Sequence, residues 1–386
     1  MSGMVNRSPS PRHYGKPGST LRSAFSIQYS VFLVLMSIGT EGLAREWDPY
    51  RRQRIEMTKN ALDFLVSAAN PDGSFGSSRQ RLQTGAAVLA FLAAGERPGA
   101  GARGDVIARA CRWLLNSSGA TGFVGDKESP TESHAIAALA LCQLVGMGMS
   151  AEEDRKLYKA SLDALEYTLR SQDKAYGGRY SGGWTPEPRS KVNDRKASGW
   201  QMAFIHAMQC AGTNIPKSAI LRGSAFMMAS FKRKDEQTSK YDIGGFSYDA
   251  DGLPVVAISA AGFYCMEAFG EPATERQLAS EWFTNNPPVW NGPHFYDAQF
   301  FAVRALKLHA SSSGDEKARE RFREYMREVT EVLRNQQRPD GSFDVPPGNA
   351  EYTKEMGATY ATPMAVLVLN CDRNLLPMDT GPANGD

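Results

Sequence analysis

Thiol and zinc signatures are missing from this chain. Its five cysteines, Cys111, Cys142, Cys210, Cys265 and Cys371, stand far apart. No Cys-x-x-Cys or zinc-knuckle spacing exists, and an odd count argues against a complete disulfide framework. Four of them sit among apolar residues at helical spacing and read as small buried side chains. An excess of either charge is missing too. The formal net charge is +2, so no basic field is available for nucleic acid. The N-terminal apolar run, Val31-Phe32-Leu33-Val34-Leu35-Met36-Ser37-Ile38, is too short to cross a bilayer comfortably.

What is present suits a folded chain. The sequence has 386 residues, 42% of them apolar and 22% charged, which allows one large domain or two or three ordinary ones. The first 22 residues carry Arg7, Arg12, His13, Lys16 and Arg22 and no acidic side chain. Arg22 precedes the apolar run and Gly42-Leu43-Ala44 follows it. That order matches a secretory signal peptide and predicts export to the periplasm or beyond, with no integral membrane span after cleavage. An uncleaved basic tail on a cytoplasmic protein is the alternative. The expected organisation is a basic tail and signal over 1–44, one domain over 45–371 and a C-terminal tail over 372–386.

The domain is repetitive. Pro71-Asp72-Gly73-Ser74-Phe75 recurs as Pro339-Asp340-Gly341-Ser342-Phe343, and looser glycine–aromatic pairs stand at Gly122-Phe123, Gly183-Trp184 and Gly245-Phe246. Trp290-Asn291-Gly292 is a degenerate copy. The six marks lie 44 to 62 residues apart, room for two helices each. Helices before a mark are amphipathic. Around 317–336, Phe322, Tyr325, Met326, Val329, Val332 and Leu333 form one stripe opposite an Arg/Glu-rich face, an outer surface rather than a binding site. Residues 154–171 repeat the pattern. Helices after a mark, over 84–94, 135–145, 257–269 and 363–369, are apolar all round and must be enclosed by other helices. Six such alternations predict an all-α (α/α)6 toroid of six helical hairpins, with an apolar inner ring and an amphipathic outer ring. An open solenoid is the competing arrangement. In the turns, Asp72 and Asp340 read as structural carboxylates beside a glycine at positive φ.

A helix ending in Gln, followed by Gly-x-Phe/Trp, resembles the repeat of squalene and oxidosqualene cyclases. The residues that carry it are Gln336-Gln337-Arg338-Pro339-Asp340-Gly341-Ser342-Phe343 and Ser171-Gln172 leading to Trp184; Asn70 stands for Gln in the first copy. The resemblance covers about residues 53–371 and is to the prenyltransferase/squalene oxidase repeat superfamily, single-toroid bacterial type. It implies a central funnel for an apolar, isoprenoid-like ligand. The chain departs from that superfamily's chemistry. It has no Asp-x-Asp-Asp acid, the nearest string being Asp249-Ala250-Asp251-Gly252, no Asp-Asp-x-x-Asp magnesium motif, and no Asp-x-Cys for zinc. No cofactor and no metal is expected from the motifs.

Candidate chemistry gathers where inner helices begin, facing the funnel. Thr131-Glu132-Ser133-His134 offers an N-cap with Glu132 and His134 as an acid–base pair; a capped helix start with a satisfied histidine is the plainer reading. Ser198-Gly199-Trp200-Gln201 with His206 can line a ligand pocket or simply pack. His294 and Asp297 share a helix face at i, i+3. Tyr248, Asp249 and Asp251 sit in a loop, as acid–base groups or as an Asx-turn. Tyr360 precedes Thr362-Pro363, read as an N-cap and first-turn pair, and Trp184 marks a rim. The catalytic expectation falls on Glu132, His134, Asp251 and Asp297. The ligand-binding one falls on Trp184, Trp200, Gln201, His206, Tyr248, His294 and Tyr360. The glycine- and proline-rich stretch 173–196 reads as a lid or a solvated insertion.

Three functions remain open at this level. The first is an isoprenoid-type protein binding or transforming an apolar small molecule. The second is a non-catalytic exported scaffold with a protein partner. The third is a polysaccharide-processing (α/α)6 enzyme, favoured by export and by Trp184, Trp200 and Trp290 near predicted rims.

Overall fold

A computed structural model describes residues 49–147, 149–174, 181–187, 190–234, 238–249, 251–347 and 351–379, with the side chains of 49 and 351–353 left aside. The expected export signal, and 175–180 and 188–189 of the expected lid, lie outside these residues. From Pro49 onward the chain is one compact unit.

Thirteen α-helices are present among the described residues. Six form the outer layer: α1 (Pro49–Ala68), α3 (Gly101–Ser117), α5 (Ala151–Ser171), α7 (Lys217–Met228), α9 (Ala273–Trp282) and α11 (Glu316–Arg334). Six form the inner layer: α2 (Gln80–Ala93), α4 (Pro130–Leu144), α6 (Arg195–Cys210), α8 (Val256–Phe269), α10 (Phe295–Ser312) and α13 (Ala358–Leu369). A short α12 (Glu351–Met356) precedes α13. Each inner helix packs on the next and α13 returns to α2; in the outer layer α11 meets α1. The ring is closed, and the fold is the predicted (α/α)6 toroid rather than a solenoid.

The two layers follow from composition. In α11, Tyr325, Met326, Val329 and Leu333 are buried, while Glu316 pairs with Arg319 and Arg323 on the solvent side. In α5 a capping box joins Ser150 and Glu153. Inner helices are buried on all sides and approach closely through small residues. A methyl on Gly85 of α2 would stand 2.9 Å from Cα of Ala137 in α4, and one on Gly199 of α6 would stand 2.8 Å from Cβ of Ala261 in α8.

The turns show how repeats interlock. Gly73, Gly122, Gly182, Gly244 and Gly341 all have positive φ. Each lies against a backbone carbonyl of an outer helix in the following repeat: Arg109, Asp163, Arg222, Leu278 and, closing the ring, Asn60. Only glycine fits both the dihedral and the approach. The residue two places on donates its backbone N–H to a side chain of the next inner helix. Phe75 donates to Thr84 (2.9 Å), Trp184 to Ser198 (2.9 Å), Phe246 to Ser259 (2.8 Å) and Phe343 to Thr362 (3.0 Å). In the second repeat Val124 donates to His134 Nδ1 (3.2 Å). The second mark is therefore Val124, not Phe123. At the fifth, Gly292 meets only the neighbouring Val289 carbonyl, so that copy has lost the device. Gln172 and Gln337 each donate to a turn glycine's carbonyl and to the next outer helix, at Ala219 and Met57. Asp72 and Asp340 accept from the N–H and hydroxyl of Ser74 and Ser342, which holds both carboxyls below their usual range.

Two local expectations change. Thr362 does not cap a helix: α13 begins at Ala358, Pro363 is its sixth residue, and the Thr362 hydroxyl is spent on Phe343. Thr131 is likewise inside α4, whose preceding residue is Ser129, and donates to the Thr185 carbonyl at 2.6 Å. After Leu369 the chain does not leave the domain at once. Leu376, Met378 and Asp379 are buried, and Arg304, stacked on Phe300, pairs with Asp379 at 3.0 Å where both are 1% exposed.

Candidate functional site

All six inner helices point their N-termini toward one mouth, so the positive ends of six helix dipoles meet there. Three carboxylates occupy those ends. Glu132 and Asp297 are each the third residue of their helix, in α4 and α10, and Asp194 is the N-cap of α6, accepting from the Ala197 N–H at 2.7 Å. Set in phase by the turn anchors, the same position falls on Leu82, Glu132, Lys196, Ala257 and Tyr360, two residues before Thr84, His134, Ser198, Ser259 and Thr362. Three repeats thus contribute Glu132, Lys196 and Tyr360 from equivalent places; Asp297, in the repeat without the anchor, matches Glu132 as the third residue of its helix.

These four residues form two hydrogen-bonded pairs, and the charge of Asp297 reaches Glu132. Lys196 Nζ donates to Glu132 Oε2 at 2.7 Å, and the two residues are 9% and 7% exposed. Glu132 Oε1 is buried without a hydrogen-bond partner. Asp297, 2% exposed, accepts on one oxygen from Trp200 Nε1 (3.0 Å) and the Tyr360 hydroxyl (3.1 Å). Burial pushes the Glu132 carboxyl up; Lys196 opposes this, the charges of Asp297 and Asp194 reinforce it, and the result is about 7. Around the cluster, Tyr248 and His294 are half-buried. Burial and then Asp194 push the Tyr248 phenol up to about 12, and burial followed by Lys196 lowers His294. The Arg195 guanidinium lies over Phe226 and donates to the Tyr248 carbonyl.

Of the residues singled out from sequence, Glu132, Asp297, Trp200 and Tyr360 belong to this cluster, with Tyr248 and His294 around it. The others stand elsewhere. His134 is buried in a complete relay. Val124 N–H donates to Nδ1, so Nε2 carries the proton and donates to Thr168 (3.1 Å). Thr168 donates to Gln201 Oε1 (2.8 Å), and Gln201 Nε2 donates to the Thr131 carbonyl (2.8 Å). Burial lowers His134 to about 3, so it fastens a turn rather than acting as a base near neutrality, and Gln201 shares that task. Trp184 is buried between layers with its indole on the Thr168 carbonyl. His206 lies ten residues beyond Lys196 on α6, about 15 Å away, bonded to Tyr264 (2.7 Å) and beside Cys210 (3.5 Å). Asp251 is exposed at a loop tip that Gly252 N–H closes onto the Asp249 carbonyl at 2.9 Å. Lys196 and Asp194 escaped the sequence reading because they end the stretch taken as a lid; counting back from Ser198, as from Thr362, would have found Lys196.

Aromatic side chains of α6, α8 and α10 pack together beside the cluster. Trp200 packs on Phe300 (4.5 Å) and Phe301 (4.9 Å), and Tyr264 packs on Phe301 (5.5 Å). No group of three His, Cys, Asp or Glu side chains suited to a metal ion occurs among the described residues. No described helix is long and apolar enough to cross a membrane.

No protein-family model matches the chain, and no curated protein sequence does. Solved structures do. The GH76A alpha-1,6-mannanase from Salegentibacter sp. HEL1_6 superposes with a TM-score of 0.59 at 9% identity, covering 83% of this chain and 99% of that one. Cellobiose 2-epimerase from Spirochaeta thermophila gives 0.58 at 14% identity, over 86% and 98%. The type II terpene cyclase MstE from Scytonema gives 0.50 at 13%, over 85% and 99%. At such identities the likeness is one of fold. It supports the toroid and not the prenyltransferase type of family that the repeats resemble.

Proposed function

We propose that this chain is a saccharide-processing (α/α)6 enzyme whose acid–base groups are Glu132 and Asp297. The observation that carries the reading is a pair of buried carboxylates, each the third residue of an inner helix, near enough for the charge of Asp297 to raise Glu132. A carboxyl at about 7 is protonated enough to give a proton and ionised enough to take one at working pH. Asp297, held by Trp200 and Tyr360, is fixed as the second group. Lys196 is a positioning residue: by occupying Oε2 of Glu132 it leaves Oε1 for the ligand. The half-buried ring of Tyr248 suits stacking on a sugar ring. Two similar structures are of proteins that act on saccharides, a mannanase and a cellobiose epimerase. The apolar-ligand reading fits less well, because charged side chains from three inner helices gather at the mouth.

The test is turnover of a panel of oligosaccharides by purified residues 45–386, followed by NMR for both cleavage and epimerisation. Glu132→Gln and Asp297→Asn should each lower kcat by about a hundredfold or more. Turnover that survives both substitutions would remove these carboxylates from the chemistry.

A further inference from the structure

The connections that lead into the inner helices form the rim of the mouth, and three successive ones present exposed aliphatic side chains. Val192 stands three residues before α6, Leu253 three before α8 and Val289 six before α10. They are 56%, 76% and 59% exposed. Helices α6, α8 and α10 are successive neighbours in the ring, so the three residues stand along one arc of the rim. The places three residues before α2, α4 and α13 hold Ser77, Lys127 and Glu355, all exposed and polar. A single exposed apolar residue is ordinary, as Ile55 on α1 and Leu221 on α7 are. Aliphatic side chains repeated along one side of a polar opening mark a place that a ligand covers. The arc is also continuous with the carboxylate cluster. Val192 is two residues from Asp194, Leu253 five from Tyr248 and Val289 five from His294. Tyr248 and His294 both sense the charges of Asp194, Lys196 and Asp297. Backbone hydrogen bonds hold the three loops: Asp194 donates to the Trp184 carbonyl (2.8 Å), Val255 to Phe246 (2.9 Å) and Gly292 to Val289 (2.9 Å). The aliphatic side chains therefore stand on fixed loops, and covering them costs little in loop ordering.

We infer that the substrate is an amphiphilic glycoside, whose sugar reaches Glu132 and Asp297 and whose aliphatic aglycone lies on Val192, Leu253 and Val289. This rests on the saccharide reading just given and names the class of saccharide. A plain oligosaccharide leaves the aliphatic arc in water. An alkyl chain running outward from a sugar at the mouth crosses the rim, and laid on this arc it removes its own surface and that of the three side chains from water.

Isothermal titration of the purified protein with methyl, hexyl and octyl glucosides and maltosides, all below their micelle concentrations, tests the assignment. Affinity should rise with chain length, by at least about tenfold from methyl to octyl on the same sugar. Val192→Asn/Leu253→Asn/Val289→Asn should bring octyl affinity down to the methyl level, whereas Ile55→Asn/Leu221→Asn on the outer helices should keep the gain. All five side chains are exposed, so both variants should fold, which circular dichroism checks. Equal affinity for methyl and octyl forms, or a gain that the triple variant keeps, overturns the inference and leaves the saccharide reading in place. A dimer in sedimentation that the triple variant dissociates puts a second copy of the chain on the arc and overturns it too. If none of these glycosides binds, the inference falls; if the oligosaccharide panel fails as well, the saccharide reading falls with it.

Discussion

Replacing the buried pair at the mouth, as Glu132→Gln/Lys196→Met, should change how stability depends on pH. Glu132 sits at about 7 in the folded protein against an ordinary value of 4.5. Between those values the native state holds one proton more than the unfolded chain. Stability from this group is therefore complete below about pH 4.5 and is lost as pH rises through about 7. The slope is about 1.4 kcal/mol per pH unit, giving about 3 kcal/mol over the window. Removing both partners abolishes the slope without leaving either charge buried alone, the situation that costs most. Urea denaturation at pH 4.5, 5.5, 6.5 and 7.5 reads the difference. The double variant should gain about 3 kcal/mol on the wild type across the series. Contributions from His134 and His206, both lowered by burial, are common to the two proteins and cancel. Parallel curves, or a wild type that gains on the double variant with rising pH, would refute the reasoning, since the second result means attraction to Lys196 outweighs desolvation.

Three further outcomes are expected. Gly341→Ala combines a φ of +88° with a clash against the Asn60 carbonyl and breaks the seam between last and first repeats; a loss of about 3 kcal/mol or more in chemical denaturation is expected, and an unchanged midpoint would contradict it. His134→Ser should keep saccharide binding while losing about 2 kcal/mol of stability at pH 7, and acid unfolding between pH 6.5 and 3 should become less steep, because His134 must charge on unfolding; loss of ligand binding in a folded variant would return His134 to the site. Asp379→Asn strands the Arg304 guanidinium in the base of the barrel and should cost about 3–5 kcal/mol, whereas Arg304→Met/Asp379→Leu should cost far less, as a double-mutant cycle would show.

The sequence by itself determined the architecture. A helix apolar on every side has no stable place except between other helices, and one with a single stripe belongs outside. That alternation from α1 to α13, with the Pro-Asp-Gly-Ser-Phe turns, was enough to imply two rings, because periodicity and turn chemistry are local. Closure was less visible: the fit of Gly341 against Asn60 joins residues far apart in the chain. The site was legible only in part. Glu132 and Asp297 stood out as carboxylates in first turns, but His134 looked like their equal, and its place in a buried relay depends on Thr168 and Gln201 from two other helices. Lys196 went unnoticed because a lysine beside a polar stretch has every local reason to face water. The pairing of Glu132 with Lys196 and of Asp297 with Tyr360 was decided by tertiary structure, since the ring sets helices from four repeats around one axis. The proton affinity of Glu132 was decided there as well, because burial and neighbouring charge are properties of that arrangement and not of any segment.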